Sequence, residues 1–483
     1  MLAIDGRAVI DGERRDSASG ERFVSHNPAT GQPIADVALC GPEDVDRAVA
    51  SGRRAFESGV WSKADAEERK RVLLTLADLM ESRAADFALV ETLDMGKPIS
   101  QSSTVDVPGS IATFRWYAEL ADKLVDEVPA TPRGSTALVT KEPLGVVGAI
   151  VPWNYPLEIA CWKLAPALAV GNSVVLKPAA ESSLSALLLG ELALEAGLPA
   201  GVLSVVPGPG GLVGEALGLH PDVDALTFTG STAVSKLLLG YSARSNMKRL
   251  SLEAGGKSSN LIFADVADVR LAAEKAAFGA FYNQGEVCSS NSRILVERSI
   301  YAEFLDAFAA AAGAYEPGDP LDLASGNGAL VNEKHADGVA RAIALGLADG
   351  MLLRGGQRLC IDGSTAFIEP TIIVELPQDH ELHRSEVFGP LAVVSTFDTE
   401  DEAVRLANDT IYGLAASVWT SNLARAHRVA ARLIAGTVSV NTVDAIGLTT
   451  PFGGFRQSGF GRDLSAHAID NYVGLKTTWI QYG

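Results

Sequence analysis

The chain has 483 residues, with 40 Lys+Arg against 59 Asp+Glu and a formal net charge of −19. At about 100–200 residues per domain this length implies two to four domains, and 47% hydrophobic against 20% charged residues excludes wholesale disorder. The acidic balance excludes nucleic acid and anionic membrane surfaces as main partners, because phosphate binding needs clustered Lys and Arg.

The first 40 residues read as short strands and turns. Apolar residues at helical spacing predict helices over 43–57 and 65–93, the second stopped by Gly96-Lys97-Pro98. Another helix is expected over 108–122. From Glu142 the texture changes. Short β-rich apolar runs at 145–151, 173–177, 202–206, 225–229 and 249–252 alternate with helical patterns at 156–169, 183–196, 211–218 and 231–241. That alternation implies βαβ units and a parallel sheet covered on both faces. A second such series starts with the helix 269–281, the strand 292–297 and the helix 300–312, and continues to about Thr442. A Gly-rich loop at 451–461 and a strand-like tail at 475–481 close the chain. The reading is a two-lobed α/β protein.

The longest charge-free stretch, 196–214, holds nine Gly and Pro residues and reads as turns around a short strand, not a membrane helix. Four cysteines without a CxxC spacing suit neither a disulfide framework nor a zinc ribbon, and no signal peptide is visible. A reducing cytoplasm is the expected location. No Ser has Gly at both −2 and +2, and no GxxxxGK[ST] occurs, which sets aside hydrolase elbows and P-loops. His380 and His383 fall one residue short of HExxH and read as a solvated loop face. Gly208, Gly210 and Gly214 only approximate a dinucleotide fingerprint.

Three segments carry candidate chemistry. Val151-Pro152-Trp153-Asn154 ends a predicted strand, where α/β sheets bind ligands. Asn154 there is an amide donor for an oxyanion, or a cap on the following helix. Leu252-Glu253-Ala254-Gly255-Gly256-Lys257 places a carboxylate at a strand end, as a general base or as an ordinary acid in a surface turn. Asn283-Gln284-Gly285-Glu286-Val287-Cys288 presents Cys288 as a nucleophile or as a small buried hydrophobe. Cys40, Cys161 and Cys360 have apolar or nondescript neighbours.

Together these segments resemble the aldehyde dehydrogenase family over essentially the whole chain. So do Phe228-Thr229-Gly230-Ser231-Thr232, Glu386-Val387-Phe388-Gly389-Pro390 and Pro451-Phe452-Gly453-Gly454, all in the family's order. The departure is Glu286, where the family usually has Gln. The resemblance implies a Rossmann-like cofactor domain (residues 1–122 and 142–253), an α/β catalytic domain (254–455) and a small β oligomerisation element (123–141 and 472–483). It implies NAD or NADP as cofactor, with Cys288 as nucleophile, Glu253 as base, Asn154 in the oxyanion hole and Lys177 among the catalytic-site residues. By position in the family, the cofactor contacts are Ile150, Pro152, Trp153, Lys177, Gly210, Gly230, Ser231, Leu252, Glu386 and Phe388. It also implies a homodimer or homotetramer.

Where the family often has a ribose-binding Glu, this chain has Ala180, with the acid displaced to Glu181. Loss of that carboxylate removes repulsion against a 2′-phosphate, so NADP is expected to be tolerated alongside NAD. Arg115-Trp116-Tyr117-Ala118-Glu119, Ser245-Asn246-Met247-Lys248-Arg249, Tyr282-Asn283-Gln284-Gly285 and the tail from Gly461-Arg462-Asp463 resemble the γ-glutamyl-γ-aminobutyraldehyde and guanidino- or aminobutyraldehyde dehydrogenases. The substrate that this implies is an ω-amino, guanidino or γ-glutamylamino aldehyde from polyamine or amine catabolism. Glu119 and Asp444 are the candidates to read a cationic end. The alternatives are a broad aliphatic or aromatic aldehyde dehydrogenase, or a CoA-acylating relative.

Overall fold

The computed structural model describes residues 4–483. Two sheets dominate it, and the chain passes directly from one to the other. The first has eight strands. Its parallel centre runs Leu203–Val205, Ser173–Lys177, Val146–Ile150, Ala225–Gly230 and Arg249–Ala254 in spatial order. Val146–Ile150 and Ser173–Lys177 are buried at every position, which is why they read as unbroken apolar runs rather than alternating ones. Helices Pro156–Ala169 and Leu184–Glu195 contribute Leu164, Leu168, Leu187 and Leu189 to the core on one face of this sheet.

Strand order reverses between Val146–Ile150 and Ala225–Gly230: the chain goes outward on one side, then returns to the other. That reversal opens a crevice at the carboxyl ends of these two strands. Residues Val151 to Asn154 leave one strand there, and Ser231 leaves the other.

The second sheet has seven strands, parallel except for the edge strand Met351–Arg354. One of its interior strands, Ser259–Ile262, begins five residues after Ala254 ends the last parallel strand of the first sheet. The carboxyl edge of the first sheet therefore adjoins the amino edge of the second, with Gly255 and Gly256 in the join. Segments preceding the second sheet's strands Arg293–Glu297 and Leu391–Phe397 supply Cys288 and Glu386 to this junction.

Three expectations change in detail. The helix expected over 65–93 is two helices, Ala66–Ser82 and Ala84–Met95, because Arg83 leaves helical geometry (φ −112°, ψ 18°). The bend lets Phe87 and Val90 join the core that Val72, Leu76 and Met80 already face, and Arg83 pairs with Asp86 across it. Gly96 ends the second helix at φ +91°, as its position suggested. The expected assembly element is an antiparallel ribbon of Ser135–Pro143 with Val473–Gln481, so residues 142 and 143 belong to the ribbon. Finally, the Gly-rich segment returns to the first sheet, where Gly459–Phe460 pairs with Leu252 and Glu253. No helix among the described residues is long and apolar enough to cross a membrane.

Candidate active site

A cavity of about 600 Å³ opens at the junction of the sheets, and Asn154, Glu253 and Cys288 all line it. It extends to Pro152, Trp153, Gly230, Ser231, Glu386 and Phe388 on one side and to Val105, Ile446 and Leu448 on the other.

Asn154 is buried and does not cap the helix that follows; the residue in the N-cap position is Tyr155. Its Nδ2 donates to the Glu286 carbonyl at 2.8 Å. Asn283, held at φ +49°, donates through its own Nδ2 to the carbonyls of Asn154 and Glu286, each at 3.2 Å. The amide is therefore oriented by the loop that carries Cys288.

Glu253 is buried in the strand Arg249–Ala254, which removes the surface-turn reading. Neither carboxyl oxygen pairs with another side chain. Burial raises its pKa well above the usual carboxylate range; the Asp463 charge adds to this, while Lys163 and Arg462 oppose it. Lys163 and Asp463, both fully buried, form an ion pair at 2.6 Å, and Asp463 lines the same cavity. The sequence reading missed this pair, because its members lie 300 residues apart.

Cys288 follows the short turn Tyr282–Gly285, whose Asn283 and Gln284 adopt positive φ. Its thiol reaches the cavity. Burial pushes its pKa up, and Asp444, Glu386 and Glu253 push in the same direction. Glu286 is buried as well, with Oε1 accepting from Val331 N–H at 3.1 Å. Burial raises its pKa well above the usual carboxylate value, against the opposing hydrogen bond from Val331.

Toward the first sheet the lining changes character. Ser231 caps the helix Thr232–Arg244, its Oγ accepting from Val234 N–H at 3.3 Å. The Thr229 hydroxyl beside it is buried without a partner. Glu386 Oε1 accepts from Gly256 N–H at 3.0 Å, and burial raises its pKa to about 7. A Cβ on Gly255 would collide with the Glu386 carboxylate as it is held here, so a side chain at 255 would push that carboxylate aside. Phe388 packs edge-on against Trp153, with ring centroids 5.2 Å apart. A helix N-terminus, an unpartnered hydroxyl and an aromatic pair along one continuous crevice suit a dinucleotide, with its pyrophosphate at Ser231.

Ile150, Lys177, Gly210 and Leu252 lie outside the lining of this cavity. Lys177 ends its strand with Nζ donating to the Pro178 carbonyl at 2.6 Å, and burial lowers its pKa to about 8. It does not line the cavity that Cys288 faces. Gly210 begins the turn Gly210–Gly214, and a Cβ there would meet nothing within 4 Å. Glu119 is corrected. Its side chain is 53% exposed on the outer surface and paired with Lys70 and Lys123, so it does not face the cavity. Asp444 does line it, accepting from Ser289 Oγ at 2.6 Å. Glu158, which the sequence reading passed over, lines it too. Glu181 borders a separate surface hollow with His26 and Asn332.

Comparison with known proteins agrees with this arrangement. Residues 15–478 match the aldehyde dehydrogenase family. The NADP/NAD-dependent aldehyde dehydrogenase PuuC of Escherichia coli is 50% identical, covering 99% of this chain and 96% of its own. The crystal structure of an indole-3-acetaldehyde dehydrogenase AldA mutant from P. syringae, in complex with NAD+ and IAA, is 52% identical with a TM-score of 0.98, over 99% of this chain and 97% of its own. The γ-glutamyl-γ-aminobutyraldehyde dehydrogenase of Burkholderia cenocepacia is 49% identical with the same TM-score, over 100% and 98%. On these matches the chain belongs to the aldehyde dehydrogenase family.

Proposed function

We propose that the protein oxidises an aldehyde to its carboxylic acid with NAD or NADP, through a thioester on Cys288. The observation that carries this is the convergence of Cys288, Asn154 and Glu253 on one cavity. The Cys288 sulfur attacks the carbonyl carbon. The developing oxyanion is held by the Asn154 Nδ2 hydrogen not engaged by Glu286 and by the Cys288 backbone N–H. When bound, the nicotinamide accepts the hydride that the carbon loses. Glu253 then takes a proton from water, which hydrolyses the thioester. Because burial keeps the Cys288 thiol protonated, its proton must leave before attack; Glu253 is the uncommitted base in the same space, and it passes that proton to solvent before it takes the one from water.

Pro152, Trp153, Gly230, Ser231, Glu386 and Phe388 are the cofactor contacts that the crevice supports. Ile150, Lys177, Gly210 and Leu252 are retained only as more distant contacts. The first lobe would hold the dinucleotide and the second the nucleophile. The exposed ribbon Ser135–Pro143 with Val473–Gln481 would join copies into a dimer or tetramer. The four unpaired cysteines suit a reducing, cytoplasmic setting.

Relatives named for γ-glutamyl-γ-aminobutyraldehyde and aminoacetaldehyde favour an amino-substituted substrate. The aromatic lining and the indole-3-acetaldehyde relative favour an aryl aldehyde as the second reading. A panel of aldehydes with NAD+ and NADP+, with and without CoA and with Cys288→Ala as the blank, tests all of these. Oxidation that requires CoA would overturn water as the acyl acceptor.

A further inference from the structure

Five carboxyl groups line the cavity, and no Lys, Arg or His among the described residues does. Three of the five are accounted for: Glu253 faces the reacting carbon, Glu386 is held by Gly256 N–H, and Asp463 is paired with Lys163. Asp444 accepts one hydrogen bond, from Ser289. Glu158 has none. It sits in the first turn of the helix Pro156–Ala169, and no ion pair or hydrogen bond engages its carboxyl among the described residues.

The nearest buried cation is already committed. Lys97 forms a fully buried ion pair with Asp106, and its Nζ lies 4.1 Å from the centroid of the Tyr155 ring. Opposite Glu158 stands Gly109, where a Cβ would come within 2.7 Å of Glu158 Oε1. A glycine there leaves the carboxylate the room it occupies. Beside it, Tyr155 and Tyr282 line the wall, the Tyr282 hydroxyl buried without a partner.

We propose that Glu158 is the specificity-determining residue of this site, receiving the cationic ω-end of the aldehyde, an alkylammonium or guanidinium, with Asp444 as a second carboxylate on the same wall. This rests on the aldehyde-oxidation reading above and narrows it. An uncompensated carboxylate in an apolar wall is costly. Burial, with Asp106 as the main like charge and Lys97 opposing it, accordingly raises the Glu158 pKa. A bound ammonium supplies the missing charge and a charge-assisted hydrogen bond. The surrounding aromatic faces favour the same ligand. A neutral chain of equal length gains neither.

Glu158→Gln keeps the volume and removes the charge. Assayed with 3-aminopropanal and with butanal, its neutral match in length, the variant is expected to lose about 10- to 100-fold in kcat/KM for the amino aldehyde, mostly through KM. For butanal the change should stay within about twofold. Gly109→Ala, which displaces the carboxylate without removing it, should shift the same ratio in the same direction. Independently of turnover, 1,4-diaminobutane should protect Cys288 from alkylation in the unsubstituted protein and not in Glu158→Gln. Equal losses for both aldehydes, or an unchanged ratio, would overturn the proposal. If the unsubstituted protein oxidises butanal well and 3-aminopropanal poorly, the cation receptor is refuted while aldehyde oxidation stands. If neither is oxidised with either cofactor, the oxidation reading fails and takes this one with it.

Discussion

Asn154 donates one amide hydrogen to the main-chain carbonyl of Glu286, 2.8 Å away, two residues before the cysteine whose chemistry it would assist. The bond fixes the amide plane and leaves the second hydrogen for the cavity. Asn154→Ala is expected to lower kcat by about a hundred- to a thousandfold, the usual cost of one oxyanion donor. KM for the aldehyde should change little. Steady-state kinetics checks this; an equal loss in KM alone would mean that the residue binds rather than stabilises charge.

Cys288 and Glu253 should separate the two halves of the reaction. Cys288→Ala should abolish NAD(P)H formation. With Glu253 taking the thiol proton as well as the water proton, Glu253→Gln is expected to lose the burst of reduced cofactor and to slow turnover by about a hundredfold or more. A surviving burst of about one equivalent per site would mean that another group takes the thiol proton. Rapid mixing distinguishes these outcomes, and intact mass shows whether acyl-enzyme accumulates.

A buried carboxyl away from the chemistry makes stability depend on pH. Burial raises the Glu91 pKa to about 8 from an unfolded value near 4.5. The folded state therefore holds a proton that the unfolded chain releases between these values. This contribution is full below pH 4.5 and is lost as pH rises toward 8. Glu91→Gln should gain stability relative to the unsubstituted protein across that window, by up to about 1.4 kcal/mol per pH unit. Melting temperatures at pH 5 and pH 8 test the sign.

Ala180 should admit the 2′-phosphate of NADP. Ala180 brings no carboxylate of its own; Glu181, the displaced acid, borders the same hollow with His26 and Asn332. The kcat/KM ratio for NAD+ over NADP+ is expected to stay below about a thousandfold, or ~4 kcal/mol. A larger ratio would mean that another group excludes the phosphate.

Alkylation should sort the four cysteines. Cys360 is exposed and should react first; Cys40 and Cys161 are buried and should stay protected until unfolding. Cys288 reaches solvent only through the cavity, and burial keeps its thiol protonated. Its rate should rise about tenfold per pH unit below its pKa. Peptide mapping after timed treatment with iodoacetamide gives all four rates.

Much of the site was legible because its parts are local. The residues around Asn154, Glu253, Cys288 and Glu386 form contiguous runs at strand ends, so sequence order alone places them at sheet edges. Glu158 was not legible, although it lies only four residues beyond Asn154. Its meaning depends on Gly109, on Asp444 and on the lack of any nearby free cation, three facts from separate segments. The Lys163–Asp463 pair escaped for the same reason. Glu119 failed in the opposite way: it belongs to a suggestive motif, but the face of helix Val107–Ala121 on which it sits turns toward Lys70 and solvent. The break at Arg83 carries no Gly or Pro to announce it; packing of Phe87 and Val90 sets it.

The ribbon formed by Ser135–Pro143 and Val473–Gln481 joins strands more than 300 residues apart, and Gly459–Phe460 likewise completes the edge of the first sheet. During synthesis, therefore, the amino-terminal lobe emerges without its last strands. It must wait, with an open sheet edge and the strand Ser135–Pro143 unpaired, until residues 459–481 have left the ribosome. Deleting the last ten residues should thus harm the yield of soluble protein at synthesis more than it harms catalysis by molecules already folded.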